Sequence, residues 1–172
     1  MKIFLITGNQ GEGKTTLLKK VVNELKNKNI SISGFWAEGY FENGERSSFD
    51  LVDIKSGNHY KLCERKERGK AGFIFDEKTV EIGNKLLDDG TNPCLYVIDE
   101  VGKMETDGKI WHDAIKKIIK NNAGILITVR KQFVEEVVKK FGFKDYKIFT
   151  LEDNPVTIAS GIEKELDYLC KK

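Results

Sequence analysis

The residue types best suited to chemistry are concentrated near the start of the chain, where glycines, a lysine and a threonine follow a fixed spacing. Residues 8–15 read Gly-Asn-Gln-Gly-Glu-Gly-Lys-Thr and satisfy the pattern G-x-x-x-x-G-K-[S/T]. Glycines let the main chain wrap closely with its N–H groups aimed at an anion, and a helix starting near Lys14 directs its positive end at the same place. The pattern therefore predicts a P-loop, which binds the phosphates of a nucleoside triphosphate.

The expected contacts of this loop can be assigned residue by residue. The Lys14 ammonium should reach the β- and γ-phosphates, and the Thr15 hydroxyl should ligate Mg²⁺. An apolar run precedes the loop and an amphipathic run follows it, as a strand and a helix around such a loop require. The predicted nucleotide-binding residues are Gly8, Asn9, Gln10, Gly11, Glu12, Gly13, Lys14, Thr15 and Thr16.

A second candidate feature is an acidic pair that ends an apolar run. Residues 94–98 lead directly into Asp99 and Glu100. We expect Asp99 to hold the Mg²⁺, directly or through a water molecule, because hard cations prefer oxygen ligands. Glu100 should point to the other side of the strand end and align the water that attacks the γ-phosphate.

Two further catalytic candidates follow the apolar run 124–127. Thr128 is a polar residue late in this run, at a strand end that should line the ligand crevice of a parallel sheet. Its hydroxyl either contacts the γ-phosphate or the water, or it is simply a β-branched residue suited to a strand. Arg130 follows and should lie near the same crevice.

The chain contains four arginines, and an arginine is the usual additional cation that offsets charge on a transferring phosphoryl group. The candidates for this role are Arg46, Arg65, Arg68 and Arg130. Arg65 and Arg68 belong to a basic stretch, 65–70, that either folds over the phosphates or is a solvated charge run. The sequence does not decide among the four.

Composition excludes several other classes of protein. The formal net charge of +2 argues against a dedicated nucleic-acid binder, and no apolar run approaches the length of a membrane span. The three cysteines are far apart and contain no C-x-x-C pair, so we expect reduced thiols in a cytoplasmic protein. We also expect a monomer whose partner is its nucleotide substrate.

The apolar pattern predicts an α/β fold. Four short apolar runs, at 2–7, 94–99, 124–129 and 146–151, have the pattern of buried strands, and amphipathic helices lie between them. Turn signals within 32–75 predict an antiparallel β-hairpin insertion ahead of a helix at about 76–89. The expected architecture is one domain, 1–172, a P-loop three-layer αβα sandwich with a mostly parallel sheet.

Taken together, these motifs resemble the family of small cancer-related nucleoside-triphosphatases. Four stretches carry the resemblance: ITGNQGEGKTTLL at 6–18, GFWAEGYFENGERSSFDLVDIKSG at 34–57, VIDEVGKME at 97–105 and ITV at 127–129. The resemblance implies a RecA-like sheet with a hairpin insertion. It also implies Mg²⁺-dependent hydrolysis of several nucleoside triphosphates, including ATP and GTP, to the diphosphate and phosphate.

The resemblance also transfers roles to particular residues. It implies phosphate binding by residues 8–16, a metal-site role for Asp99 and water activation by Glu100. Glu105 matches the glutamate that closes the second motif, and Arg46 matches an arginine after the hairpin turn. The chain departs from the family pattern at position 41, where Phe41 replaces an arginine, and at Arg130, where proline or histidine is commoner.

Two other functions are compatible with the same residues. One is a P-loop kinase that transfers the phosphoryl group to a nucleoside or small metabolite, with the 65–70 stretch as a lid. The other is a nucleotide-gated binding module whose partner contacts the aromatic residues of 36–41. No N-K-x-D or T-K-x-D segment is present, so guanine specificity of the GTPase-switch kind is not predicted.

Overall fold

The computed structural model describes residues 2–66 and 72–166 of the chain. Within these residues the strands are β1 (Ile3–Gly8), β2 (Ile32–Glu42), β3 (Glu45–Asp53), β4 (His59–Arg65), β5 (Phe73–Phe75), β6 (Leu95–Val101), β7 (Gly124–Arg130) and β8 (Tyr146–Phe149). The helices are α1 (Lys14–Asn27), α2 (Glu77–Leu86), α3 (Lys103–Thr106), α4 (His112–Lys120), α5 (Val134–Phe141) and α6 (Pro155–Leu166). A 3₁₀ turn, Lys131–Phe133, precedes α5.

The strands form one sheet in the order β5-β4-β3-β2-β6-β7-β1-β8. The pairs β2–β6, β6–β7, β7–β1 and β1–β8 are parallel, and the pairs among β2 to β5 are antiparallel. Parallel strands deliver their carboxyl ends to the same edge of the sheet, so the residues after β1, β6 and β7 meet there.

Helices cover both faces of the parallel part of the sheet. On one face, α1 and α6 pack against β1, β6 and β7 through a cluster that includes Leu18, Val21 and Ile162. On the other face, α4 and α5 pack through a second cluster that includes Ile115 and Val137. This arrangement confirms the predicted αβα sandwich. None of the helices in the described residues is long and apolar enough to cross a membrane.

Three of the four predicted buried strands, the hairpin turns and the helix predicted at about 76–89 are confirmed with small shifts of boundary. Asn43 and Gly44 form the β2–β3 turn, both with positive φ. Asp76 caps α2 by accepting the Thr79 N–H at 2.8 Å, and Asn154 accepts the Val156 N–H at 2.9 Å at the start of α6.

Two expectations about the sheet were wrong in part. The 32–75 stretch is not wholly an insertion, because its first strand, β2, pairs in parallel with β6 and forms part of the central sheet. The run at 146–151 is not a buried strand: β8 pairs with β1 on one side, and Tyr146 and Ile148 are exposed. An apolar run alone does not show whether its strand lies at the edge.

The expectation of three reduced thiols was also wrong. Cys63 is a free and buried thiol, whereas Cys94 is disulfide-bonded. Sequence spacing showed no paired motif because disulfide formation depends on which segments the fold brings within reach.

Gly34 allows the close approach of β2 to β6 and is a position where the structure requires glycine. Its φ is +118°, and a Cβ at this position would lie 2.0 Å from the Val97 carbonyl oxygen. We expect Gly34→Ala to lower the free energy of unfolding by about 3–5 kcal/mol, as measured by urea denaturation. Gly161→Ala is the matched control, because this mid-helix position in α6 is open and should gain about 0.5–1 kcal/mol. Equal stabilities of the two variants would contradict this assignment.

Candidate active site

The predicted P-loop joins β1 to α1 at the carboxyl edge of the sheet. Gly11 and Gly13 have φ values of +78° and +103°, in the left-handed region that the tight turn of the loop requires. Helix α1 begins at Lys14, directly after the last loop glycine. The positive end of the helix dipole therefore faces the space enclosed by the loop.

This space is a cavity of about 260 Å³, which we call the loop cavity. Among the nine predicted nucleotide-binding residues, five line it. These are Gly11, Gly13, Lys14, Thr15 and Thr16. The opposite wall is formed by strands β2, β3 and β6 through residues that include Ala37, Phe41, Arg46 and Glu100.

The other four loop residues are held by contacts within the loop and with β7. Gly8 is the last residue of β1. The Glu12 carboxylate accepts hydrogen bonds from the Asn9 main-chain N–H at 2.6 Å and from its side-chain amide at 2.8 Å, and these bonds lower the pKa of Glu12. The Gln10 side-chain oxygen accepts a hydrogen bond from Arg130 Nη1 at 3.2 Å.

Lys14 lines the loop cavity and is buried. Its Nζ donates to the Asn9 carbonyl oxygen at 2.9 Å, so the ammonium spans the loop. Burial lowers the pKa of Lys14, and the negative charge of Glu100 opposes this shift. A buried cation with one neutral hydrogen-bond partner is well placed to attract a polyphosphate.

Asp99 is 1% exposed and accepts four hydrogen bonds, all from neutral groups. Oδ2 accepts from the Thr15 hydroxyl at 2.8 Å and from the Ala37 N–H at 3.0 Å. Oδ1 accepts from the Glu100 N–H at 3.0 Å and from the Thr128 hydroxyl. Burial, together with the charge of Glu100, raises the pKa of Asp99. A divalent cation beside this carboxylate would offset both effects.

The pair of Thr15 and Asp99 fits Mg²⁺. The hydroxyl and the carboxylate already face each other across 2.8 Å at the start of α1 and the end of β6. No cluster of three or more His, Cys, Asp or Glu side chains that would form an all-protein cage occurs within residues 2–66 and 72–166. Mg²⁺ usually takes one or two protein ligands and completes its shell with phosphate oxygens and water, so this sparse donor set suits it.

The side chain of Glu100 points in a different direction from that of Asp99, because Glu100 has a left-handed main-chain conformation with φ of +56°. The pairing of β6 with β7 skips from Ile98 to Val101, so the acidic pair forms an irregularity in the sheet. The Glu100 carboxylate lines the loop cavity, with Oε1 4.0 Å from Arg46 Nη1 and Oε2 3.7 Å from Arg130 Nε. A strained residue at this position is typical of functional sites.

Thr128 is fully buried and does not contact the loop cavity. Its hydroxyl accepts a hydrogen bond from the Glu100 N–H at 2.8 Å and donates one to Asp99 Oδ1. The structure therefore places Thr128 beneath the acidic pair, where it orients both residues. This placement indicates a positioning role, which differs from both alternatives considered from the sequence: contact with the γ-phosphate or the water, and a purely structural strand residue.

The structure distinguishes the candidate arginines. Arg46 lines the loop cavity, and its guanidinium lies 5.0 Å from the Phe41 ring centroid and 4.8 Å from that of Phe49. Stacking against aromatic rings holds the planar group in one orientation. Arg130 contacts Gln10 and Glu100 but is absent from the wall of the loop cavity.

Of the remaining two arginines, only Arg65 is among the described residues, and it does not line the loop cavity. Arg65 donates its Nε hydrogen to the Arg46 carbonyl oxygen at 2.9 Å and lies 5.6 Å from the Phe73 ring, away from the loop. The hydrogen bond from Arg65 holds the main chain of β3 at Arg46. Arg68, and most of the predicted 65–70 lid, lie outside the described residues.

Glu105 lies in α3 and organises the segment after β6. It is 2% exposed, and its Oε2 accepts the Gly102 N–H at 2.8 Å. Burial raises the pKa of Glu105 to about 7, against the lowering effect of main-chain N–H groups, including those of Gly102 and Trp111. It does not line the loop cavity, so its placement indicates support of the loop after the acidic pair.

The raised pKa of Glu105 predicts a pH dependence of stability. Between pH 4.5 and about 7 the folded state holds a proton that the unfolded state has lost, so stability should fall as pH rises through this window. The contribution amounts to roughly 3 kcal/mol. Urea denaturation at several pH values should show this fall in the native protein and a flatter profile in Glu105→Gln. Parallel profiles for the two proteins would contradict the assignment.

Sequence reasoning missed three contributors to the site. The Ala37 N–H fixes Asp99, but a main-chain donor leaves no signal in the residue type. Phe49 stacks on Arg46, and Glu38 pairs with Lys19 at the edge of the loop cavity. The contact between Phe41 and Arg46 could have been predicted from the sequence. A two-residue turn at 43–44 places these residues directly opposite each other in the β2–β3 hairpin.

Comparison with known proteins identifies the family. A family described as NTPase matches residues 3–158. The chain is 31% identical over 164 residues to the nucleoside-triphosphatase THEP1 of Archaeoglobus fulgidus, covering 94% of this chain and 97% of that protein. It is 35% identical over 129 residues to THEP1 of Caldivirga maquilingensis, covering 72% of each chain.

A solved structure shares both the fold and part of the sequence. The solution structure of a human cancer-related nucleoside triphosphatase superposes with a TM-score of 0.70 and 26% identity, covering 98% of each chain. Because the family match spans nearly the whole described chain and includes the loop, the acidic pair and β7, this protein belongs to the NTPase family.

Proposed function

We propose that this protein hydrolyses nucleoside triphosphates to the diphosphate and phosphate with Mg²⁺ as cofactor. The observation that carries the proposal is the convergence of Lys14, Thr15, Asp99 and Glu100 on one edge of the sheet. The family supports the same activity, because its relatives are named nucleoside-triphosphatases.

In the proposed mechanism the loop amides and Lys14 bind the β- and γ-phosphates. When bound, Mg²⁺ held by Thr15 and Asp99 supplies positive charge to the phosphate oxygens. Glu100 accepts a hydrogen bond from a water molecule and orients it for in-line attack on the γ-phosphorus. Thr128 holds Glu100 and Asp99 in register through its two hydrogen bonds.

Arg46 is the proposed cation that meets charge on the γ-phosphoryl group as it transfers. It lines the loop cavity opposite Lys14, and two aromatic rings hold its guanidinium. Phe41, which replaces a family arginine, therefore positions the neighbouring arginine on the same hairpin. We expect Arg46→Lys to lower kcat by about 10²-fold, because lysine keeps the charge but loses the stacked planar fork.

Arg130→Lys is the matched control for the Arg46 prediction. Arg130 contacts Glu100 from outside the loop cavity, so the control variant should lose less than about tenfold in kcat. A larger loss in Arg130→Lys than in Arg46→Lys, measured by steady-state phosphate release, would reverse the assignment.

The proposal extends to several nucleobases, including those of ATP and GTP. The roles proposed for the residues of the loop cavity involve the phosphates and the metal, and the triphosphate group is common to all nucleoside triphosphates. We further propose that the protein acts as a monomer in the cytoplasm; analytical ultracentrifugation and localisation of the tagged full chain test these points.

The test of the proposed function is phosphate release from ATP, GTP, CTP and UTP, each with Mg²⁺ and with excess chelator. We expect release from more than one nucleotide without any added acceptor, and loss of release with chelator. Absence of release from all four nucleotides would overturn the proposal and favour the phosphotransferase or binding-module alternatives.

A further inference from the structure

A second cavity of about 250 Å³ lies on the other side of Glu100, and the proposed function leaves it unused. We call it the aromatic cavity, because its wall contains Phe35, Phe49, Phe73, Phe75, Trp111 and Phe133. It opens between the sheet, the segment after β6 and the 3₁₀ turn after β7. Phe73, Phe75 and Phe133 are only partly buried, so apolar surface remains exposed at this opening.

The aromatic cavity adjoins the loop cavity. Ala37 and Glu100 are the two residues that line both cavities. The Glu100 carboxylate accepts no hydrogen bond from the described residues, and its nearest cations, Arg46 and Arg130, lie 4.0 and 3.7 Å away. A carboxylate with free acceptor capacity therefore faces the boundary between the two cavities.

Backbone strain is concentrated on the wall of the aromatic cavity. Six non-glycine residues in the described chain have positive φ, and four of them are asparagines, which tolerate this region. The other two are Glu100, at +56°, and Ile110, at +50°, and both line the aromatic cavity. A β-branched residue rarely adopts this conformation, and strain of this kind clusters at ligand sites.

The wall defines the chemistry of the ligand. Aromatic side chains on several sides suit a flat ring system, and the volume suits one or two fused rings. At the polar end, the Asp99 and Glu105 carboxylates already accept hydrogen bonds from protein groups, whereas Glu100 accepts none from the described residues. This free carboxylate acceptor favours a hydrogen-bond donor such as a hydroxyl group over an anionic group.

We propose that the aromatic cavity binds a planar aromatic molecule carrying a hydroxyl group, with the hydroxyl donating to Glu100. Occupancy should slow nucleotide hydrolysis, because the ligand takes the acceptor on Glu100 that the attacking water needs. This second effect rests on the proposed function, whereas binding itself does not.

Binding is tested by isothermal titration calorimetry of the full chain with 2-naphthol and with 2-naphthoate. We expect one equivalent of 2-naphthol to bind with a dissociation constant on the order of 100 μM, as suits about eleven non-hydrogen atoms. The naphthoate, whose carboxylate would face Glu100, should bind at least about tenfold more weakly. Absence of 2-naphthol binding, or equal affinity for both probes, would overturn the proposal.

Filling the cavity provides the structural control. Met104→Trp and Cys63→Met each add volume inside the aromatic cavity, and both should weaken 2-naphthol binding at least about tenfold. Ile74→Trp is the matched control, because Ile74 lies between Phe73 and Phe75 on β5 but points to solvent and does not line the cavity. Melting temperatures establish that each variant is folded, and unchanged binding in the folded filled variants would overturn the proposal.

Coupling to the proposed function is read from phosphate release at saturating 2-naphthol. In native protein and in Ile74→Trp, 2-naphthol should lower the rate of phosphate release at least about fivefold. In Met104→Trp and Cys63→Met, 2-naphthol should leave the rate of phosphate release unchanged. Binding without any change in the rate would overturn the coupling. If the native protein releases no phosphate, the proposed function fails, and calorimetry still decides whether the site exists.

Discussion

Replacing Lys14 with alanine should lower kcat/KM for nucleotide hydrolysis by about 10³-fold or more. Lys14 is 3% exposed and lines the loop cavity, so little water is available to replace its charge. The same substitution removes the hydrogen bond to the Asn9 carbonyl oxygen, so the loop also loses an internal contact. Both nucleotide affinity and turnover should therefore fall.

Lys19→Ala is the matched control for this prediction. Lys19 belongs to the same helix and lines the same cavity, but its ammonium pairs with Glu38 and lies 5.4 Å from the Trp36 ring. We expect a loss of less than about fivefold in kcat/KM for this variant. Calorimetric titration with a nonhydrolysable triphosphate separates the two variants, and equal affinity of Lys14→Ala and native protein would exclude the proposed role.

Replacing Glu100 with glutamine should have a different kinetic signature. The amide keeps the size of the side chain but does not hold a water molecule through a charged acceptor, so kcat should fall by about 10³-fold. Nucleotide affinity should stay within about threefold of the native value, because Glu100 repels phosphate and is not among its expected ligands. A fall in kcat with unchanged affinity identifies an interaction made mainly in the transition state.

Glu38→Gln provides the control for Glu100→Gln. Glu38 also lines the loop cavity, but it lies on β2 and its carboxylate pairs with Lys19. We expect less than about threefold change in kcat. If Glu100→Gln and Glu38→Gln reduce phosphate release equally in a stopped assay, the loss of rate comes from removing a negative charge from the loop cavity. Glu100 then has no specific role in orienting water.

Local features of the site were predictable because they depend on residue type and spacing. The loop at 8–16 needs glycines with positive φ, and Gly11 and Gly13 have it. Thr15 and Asp99 were both expected to hold Mg²⁺, and in the structure the two side chains are hydrogen-bonded to each other.

The features that were not predictable depend on which strands become neighbours. For Thr128 the sequence left open a contact with the γ-phosphate or the water and a purely structural role, whereas the pairing of β7 with β6 places it under the acidic pair. The 32–75 stretch was interpreted as an insertion, although β2 joins the central sheet and supplies the Ala37 N–H to Asp99. A disulfide at Cys94 and the edge position of β8 follow from the same long-range packing.

The amino-acid sequence by itself determined the phosphate loop, its lysine, the acidic pair and the alternation of strands and helices, because each is encoded within a few neighbouring residues. Only the tertiary structure decided that Arg46, stacked on Phe41 and Phe49, lines the loop cavity while Arg130 does not, and that an aromatic cavity lies behind Glu100. These choices depend on side chains from distant segments meeting in space, and sequence spacing carries no direct record of such contacts.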